Sequence, residues 1–198
     1  MTPDAAAATA PPREAATSEN PLREGSVTLR AADPCTIVVF GASGDLTRRK
    51  LLPALFQLSR EKLLHPKSAI VGFARRPLSD QEFRDASHPP DHDPATPKHE
   101  WQRFAASLYY RQGSFERVED YAALRAFLEE LDRERGTPGN RIFYLATPPD
   151  AYPLILEGLR AAGMVTPADD PLRWTRVIIE KPFGHDLASA RALNAQVH

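Results

Sequence analysis

The run TIVVF (Thr36–Phe40) leads directly into GASGDL (Gly41–Leu46) and then into a helix-forming stretch. Its residues are β-branched or apolar at successive positions, not at alternate ones. A strand of that kind is stable only when both faces of its sheet are covered, which is the situation of a parallel strand between two layers of helices.

The same unit recurs along the chain. The next apolar run is AIVGF (Ala69–Phe73), followed by weaker SLYYRQG (Ser107–Gly113), RIFYLAT (Arg141–Thr147) and VIIEKPFG (Val177–Gly184). Helical stretches separate them. Leu51, Leu55 and Leu58 fall on one stripe, with Pro53 predicting a kink or restart. Ser79 and Glu82 have the spacing of a capping box. Asp85 to Glu100, dense in Pro, Asp and His, reads as a loop or local insertion. Tyr121, Leu124, Leu128 and Leu131 recur at helical spacing, and Gly136 suits the end of that helix. A helix carrying Ile155, Leu156 and Leu159 ends near Gly163. Asp186 suits the cap of a last helix with Leu187, Ala190, Leu193 and Val197. Strand and helix thus alternate through the chain, which predicts an α/β fold with a Rossmann-like, doubly wound, mostly parallel sheet. Right-handed crossovers then gather the loops after the strands on one edge.

Composition narrows the class. Of 198 residues, 42% are hydrophobic, enough for one domain with a core. The formal net charge is -1, which gives no whole-chain signature of nucleic-acid or membrane-surface binding. No apolar run has the length of a membrane span. The single cysteine, Cys35, excludes an internal disulfide and a cysteine-rich metal site, and suits a reducing cytoplasm. Residues 1–35 begin with an Ala-, Pro- and Thr-rich stretch that lacks apolar periodicity and reads as a disordered tail; residues 36–198 read as the folded domain. The tail lacks the apolar core of a secretory signal, and its acidic residues argue against a transit peptide.

Three segments after strands carry candidate chemistry. Gly41, Ala42, Ser43, Gly44, Asp45, Leu46 and Thr47 join a strand to a helix. Small residues let a dinucleotide pyrophosphate approach the backbone, and a helix amino terminus offers free N–H groups and a favourable dipole. Ser43 replaces the middle glycine of the usual spacing, and the segment also suits a tight turn that needs glycine for backbone reasons alone. After the second strand stand Arg75 and Arg76, where an NAD-binding fold places an acid. Guanidinium groups there would hold a 2′-phosphate and select NADP; the same pair also suits an ordinary solvated surface. Lys181, in Glu180-Lys181-Pro182, is placed to reach sugar hydroxyls and cofactor together, or to be a solvated lysine in a plain turn. An X–Pro bond is where a cis peptide occurs.

Taken together, VVFGASGDLTRRKLLPALF, IVGFARRPLSDQEFR, RIFYLATPPDAY and RVIIEKPFGHDLASARALN resemble the amino-terminal, NADP-binding part of the glucose-6-phosphate dehydrogenase family, in the family's order and from Thr36 onward. Thr47 stands where the family usually has alanine. The resemblance implies oxidation of glucose 6-phosphate to the lactone with NADP, in the oxidative pentose phosphate pathway. It implies pyrophosphate contacts from Gly41 to Thr47, a 2′-phosphate site at Arg75 and Arg76, and Tyr152 flanking the cofactor. Lys181 would contact sugar and cofactor, with Lys181–Pro182 as a cis bond.

The family's proton-abstracting histidine lies in an Arg-Ile-Asp-His-Tyr-Leu-Gly-Lys motif that these 198 residues do not contain. The family's β+α domain, with most substrate contacts and the homo-oligomer surface, is likewise expected to be absent. No catalytic residue is therefore assigned, and the chain alone is expected to bind NADP without turnover. His185 adjoins the lysine loop but has no visible orienting partner. His88, His92 and His99 match no zinc spacing, and no metal is expected. Two alternatives share these features: another NADP-dependent sugar oxidoreductase, and a non-catalytic nucleotide-binding fragment.

Overall fold

The computed structural model describes residues 31–88, 97–184 and 186–197, the side chains of 196 and 197 aside. Five strands form one parallel sheet: β1 (Thr36–Phe40), β2 (Ala69–Ala74), β3 (Leu108–Gln112), β4 (Arg141–Leu145) and β5 (Thr175–Ile179). Their spatial order is β3-β2-β1-β4-β5. The register runs Thr36 beside Ala69 and Arg141, through to Phe40 beside Phe73 and Leu145. The chain winds outward from β1 to β3 and then returns to build β4 on the other side. The crossover direction reverses between β1 and β4, which opens a crevice at the carboxyl ends of those two strands.

Burial follows from this order. β1 and β2 are covered on both faces, and every residue in them is buried. One face packs under α4 (Val118–Arg135), α5 (Tyr152–Ala161) and α6 (Leu187–Val197), around Val38, Phe40, Val71, Phe73 and Phe143. The other packs under α1 (Leu52–Arg60), α2 (Asp80–Ala86) and α3 (Lys98–Ala105), around Ile37, Val39 and Ile70. Each such fully buried side chain contributes about 1.5–3 kcal/mol. Strand β5 is an edge, and its alternation of half-buried and exposed residues shows it.

Several local expectations hold. Ser79 Oγ accepts from Glu82 N, and the Glu82 carboxylate accepts from Ser79 N at 2.7 Å, closing the capping box. Tyr121, Leu124, Leu128 and Leu131 are all buried, and Gly136 ends α4 at φ 62°. Asp186 Oδ1 accepts from Ser189 N at 2.8 Å at the head of α6.

The restart expected at Pro53 is found too: a π-helical turn, Thr47–Leu51, gives way to α1, and Pro53 sits in its first turn, where its missing N–H costs nothing. Others are corrected. The wide, under-wound turn is followed by a buried stripe of Leu52, Leu55 and Phe56, with Leu58 39% exposed. Leu187 is likewise exposed, while Leu193 reaches the core. Within the expected loop of 85–100, α2 continues to Ala86 and α3 starts at Lys98; positions 89–96, with His92, lie outside the described residues. Of the expected tail, residues 1–30 lie outside them too. Before Thr36, Ala32 N donates to Leu63 O at 3.0 Å, and Cys35 is buried with its N–H on Ser68 Oγ. No described helix is long and apolar enough to cross a membrane. Among the described residues no group of three His, Cys, Asp or Glu is placed to hold a metal ion.

Candidate functional site

Because all five strands are parallel, the glycine turn, the arginine pair and the Glu-Lys-Pro loop share one edge of the sheet. Gly41 N donates to Phe73 O at 2.9 Å, which carries the β1–β2 ladder into the turn. Gly41 has φ +80°, and a Cβ there would stand 2.5 Å from Ala146 O. Only glycine lets the turn lie so closely on the exit of β4, in the crevice between β1 and β4. Gly44 N donates to Gly41 O at 2.9 Å, and Thr47, fully buried, points its Oγ1 at the same carbonyl from 3.5 Å. Ala42 is buried, whereas Ser43, Gly44, Asp45 and Leu46 face solvent. The helix that starts at Asp45 opens onto this edge with the free N–H groups of a first turn. Asp45 is balanced by Arg48 and Arg49, each 3.5 Å away.

Arg75 and Arg76 follow β2 and are exposed. No described ion pair or hydrogen bond uses either guanidinium. Their backbone is held, however. Tyr110 Oη lies 2.6 Å from Arg76 O, and Gln112 Nε2 donates to Arg75 O at 3.1 Å. The nearby acids are engaged elsewhere. Glu82 is tied into its capping box; the Ser79 bonds first, and the Arg76 charge after them, hold its carboxyl below the usual carboxylate range. Asp80 accepts from Tyr110 N at 2.6 Å and pairs with Arg111 at 3.0 Å.

At the β5 exit the Lys181–Pro182 peptide is cis and Lys181 is exposed. The loop is pinned through Glu180. Its carboxylate accepts from Tyr144 Oη, and its carbonyl lies 3.5 Å from Tyr152 Oη. Burial, the Glu180 hydrogen bond and the Glu180 charge push the Tyr144 phenol up to about 12. Burial and then Glu180 raise Tyr152 as well. Both phenols therefore remain protonated donors at neutral pH. Tyr152 is only 1% exposed. Its ring belongs to the core cluster with Phe143 and Leu145, and its hydroxyl faces the Glu180 carbonyl. Gly184 completes the fit: at φ +82°, a Cβ would meet Ala190 N at 2.5 Å.

Tyr144, Glu180, Tyr110 and Gln112 were not among the residues expected from sequence. Glu180 stands in the Glu-Lys-Pro motif but was given no role there, and no local pattern marks the other three, since each acts across a strand boundary. Thr147 adds one more observation: its methyl group stands beside Gly41, and its Oγ1 is buried without a hydrogen-bond partner. His185 lies outside the described residues, and His65, His88 and His99 are not in the loops of this edge. Two cavities lie at the opposite edge. One of about 290 Å³ adjoins Asp132 and Arg141, and one of about 780 Å³ adjoins Trp174; neither is lined by the glycine turn, the arginine pair or Lys181.

Residues 38–198 match the family model described as glucose-6-phosphate dehydrogenase, NAD binding domain. A relative named glucose-6-phosphate 1-dehydrogenase 2, from Mycobacterium bovis, is 44% identical over 193 residues, which is 95% of this chain and 37% of the relative. Glucose-6-phosphate 1-dehydrogenase of Chlamydia muridarum is 42% identical over 179 residues, covering 87% of this chain and 35% of that one. A solved glucose-6-phosphate dehydrogenase in complex with its substrate glucose-6-phosphate superposes with a TM-score of 0.73 at 35% identity, over 83% of this chain and 34% of that one. The chain thus spans little more than a third of the length of these relatives. A matching family model over most of the sequence, and relatives of this identity, show that the chain belongs to the family of glucose-6-phosphate dehydrogenase NAD binding domains.

Proposed function

We propose that this chain is the NADP-holding part of an enzyme that oxidises glucose 6-phosphate to 6-phosphogluconolactone. The observation that carries this reading is the exposed pair Arg75 and Arg76, at the exit of β2 on the same edge as the Gly41 turn, whose guanidinium groups make no described hydrogen bond or ion pair. The Gly41 turn supports the reading: without a Cβ it lies low against the β4 exit, and a helix begins just after it at Asp45.

In this reading the backbone from Gly41 to Thr47 holds the pyrophosphate, with the helix dipole favouring its charge. Arg75 and Arg76 hold the 2′-phosphate by charge-assisted, planar hydrogen bonds. Lys181 donates to a sugar hydroxyl and to the cofactor, and the Tyr144 and Tyr152 phenols keep Glu180, hence the lysine backbone, in place. When bound, NADP supplies the hydride acceptor for the sugar C1. Proton removal from the C1 hydroxyl is assigned to no residue of this chain. The substrate of the solved relative is glucose-6-phosphate, and this chain's contact with it is proposed through Lys181 alone. A cytoplasmic location belongs to the same proposal, supported by the buried free thiol of Cys35.

Isothermal calorimetry of the 198-residue chain with NADP and NAD tests the reading. Tighter binding of NADP, and no NADPH formed on adding glucose 6-phosphate, is the expected result. No heat with either dinucleotide would overturn it.

A further inference from the structure

We propose that Tyr110 and Gln112, on strand β3, are specificity-determining positioning residues that lock the backbone of Arg75 and Arg76 so that both guanidinium groups present to one 2′-phosphate. The inference rests on the reading of that pair as the phosphate site and extends it to a neighbouring strand.

Three successive carbonyls at the β2 exit are held from β3. Ala74 O accepts from Gly113 N at 3.0 Å, Arg75 O from Gln112 Nε2 at 3.1 Å, and Arg76 O from Tyr110 Oη at 2.6 Å. Tyr110 Oη also lies 3.2 Å from Ala74 O. A phenol has one proton to donate. Ala74 O is already served by Gly113, so the shorter contact takes the proton and Tyr110 belongs to Arg76. Burial raises the Tyr110 phenol, which keeps that proton on the oxygen.

The ring reaches this point because β2 gives it room. Gly72 is the register partner of Tyr110, and a Cβ on Gly72 would meet Tyr110 Cδ2 at 3.0 Å and Ala42 Cβ at 2.8 Å. Tyr110 is 2% exposed, so its hydroxyl has a single direction. On the same strand, Tyr110 N and Arg111 both hold Asp80, the first residue of the helix that follows the arginine pair. An arginine side chain loses much rotamer entropy on binding, and a fixed backbone restricts the positions from which it must search. None of these contacts touches the glycine turn's own N–H groups, so binding of the shared part of NAD and NADP is left alone.

The test measures NADP and NAD affinities of the unaltered 198-residue chain, Tyr110→Phe and Gln112→Ala by calorimetry. Loss of one hydrogen bond corresponds to about a fivefold change. The expected result is an NADP Kd about fivefold higher in each variant with the NAD Kd unchanged, so the preference for NADP falls. Equal changes for both dinucleotides, or no change for either, overturn the proposal and leave the arginine assignment standing. Failure of the unaltered chain to bind 2′,5′-ADP overturns both. Tyr110→Phe keeps the buried ring, and if it nonetheless fails to fold, Gln112→Ala decides the matter, because Gln112 is exposed at the strand end.

Discussion

Tyr144, on β4, donates its phenolic proton to the carboxylate of Glu180, the first residue after β5. That bond ties the loop bearing Lys181 to the neighbouring strand, and the phenol that makes it, raised first by burial and then by the Glu180 bond and charge, has a measurable signature in pH. The folded chain holds the phenol near about 12 against an ordinary value of 10.0. Between those values the unfolded chain releases the proton while the folded chain keeps it. Stability is therefore full below the unfolded value and is lost as pH rises through the folded one. Tyr144→Phe removes this contribution, so urea unfolding should show a shallower loss of stability over that window than in the unaltered chain. Parallel curves would refute the coupling.

Arg75→Ala should weaken NADP by about tenfold or more, the size of a lost hydrogen bond to a charged group. NAD, which lacks the 2′-phosphate, should bind as before. The difference should shrink at high salt, because an exposed guanidinium is screened. Equal loss for both dinucleotides in calorimetry would place Arg75 outside the phosphate site.

Gly41→Ala and Gly44→Ala should differ. At Gly41 the new Cβ meets a backbone carbonyl at 2.5 Å and the residue has φ +80°; at Gly44 the tightest contact is 3.0 Å. Gly41→Ala should cost about 1–3 kcal/mol in urea unfolding, and Gly44→Ala clearly less. Equal costs would mean that the turn does not rest on β4 as described.

Arg141→Met should be among the most damaging changes away from the site. Arg141 is buried at the amino edge and pairs with the largely buried Asp132, donating through Nη1 at 2.9 Å. Removing one member of a buried pair costs about 3–5 kcal/mol. Adding Asp132→Leu should recover much of it, since the stranded charge goes too. NADP affinity of the folded protein should not move, because the pair lies at the opposite end of the strands. A double variant no more stable than the single one would contradict this account.

The arrangement of strands and helices was legible from short-range pattern. Continuous apolar runs marked β1 and β2 because both of their faces are covered, and Ser79 with Glu82 marked a helix start because a capping box is complete within four residues. The candidate binding groups at Gly41, Arg75 and Lys181 were also visible, since each stands within two residues of a strand end. The phase of a helix was less legible. Leu58 looked like part of the buried stripe, but behind one wide, under-wound turn the buried face of α1 is Leu52, Leu55 and Phe56, and Leu58 lies outward.

Local residue order by itself determined where strands begin, where glycine must stand and which loops carry charge, because steric and capping preferences act over a few neighbours. Only the tertiary structure decided that Tyr152 lies in the core, that Tyr144 holds Glu180, and that Tyr110 braces the arginine turn. Those partners are about 30 residues or more apart in the chain. They meet because parallel register aligns them, and register is set by the packing of the whole sheet.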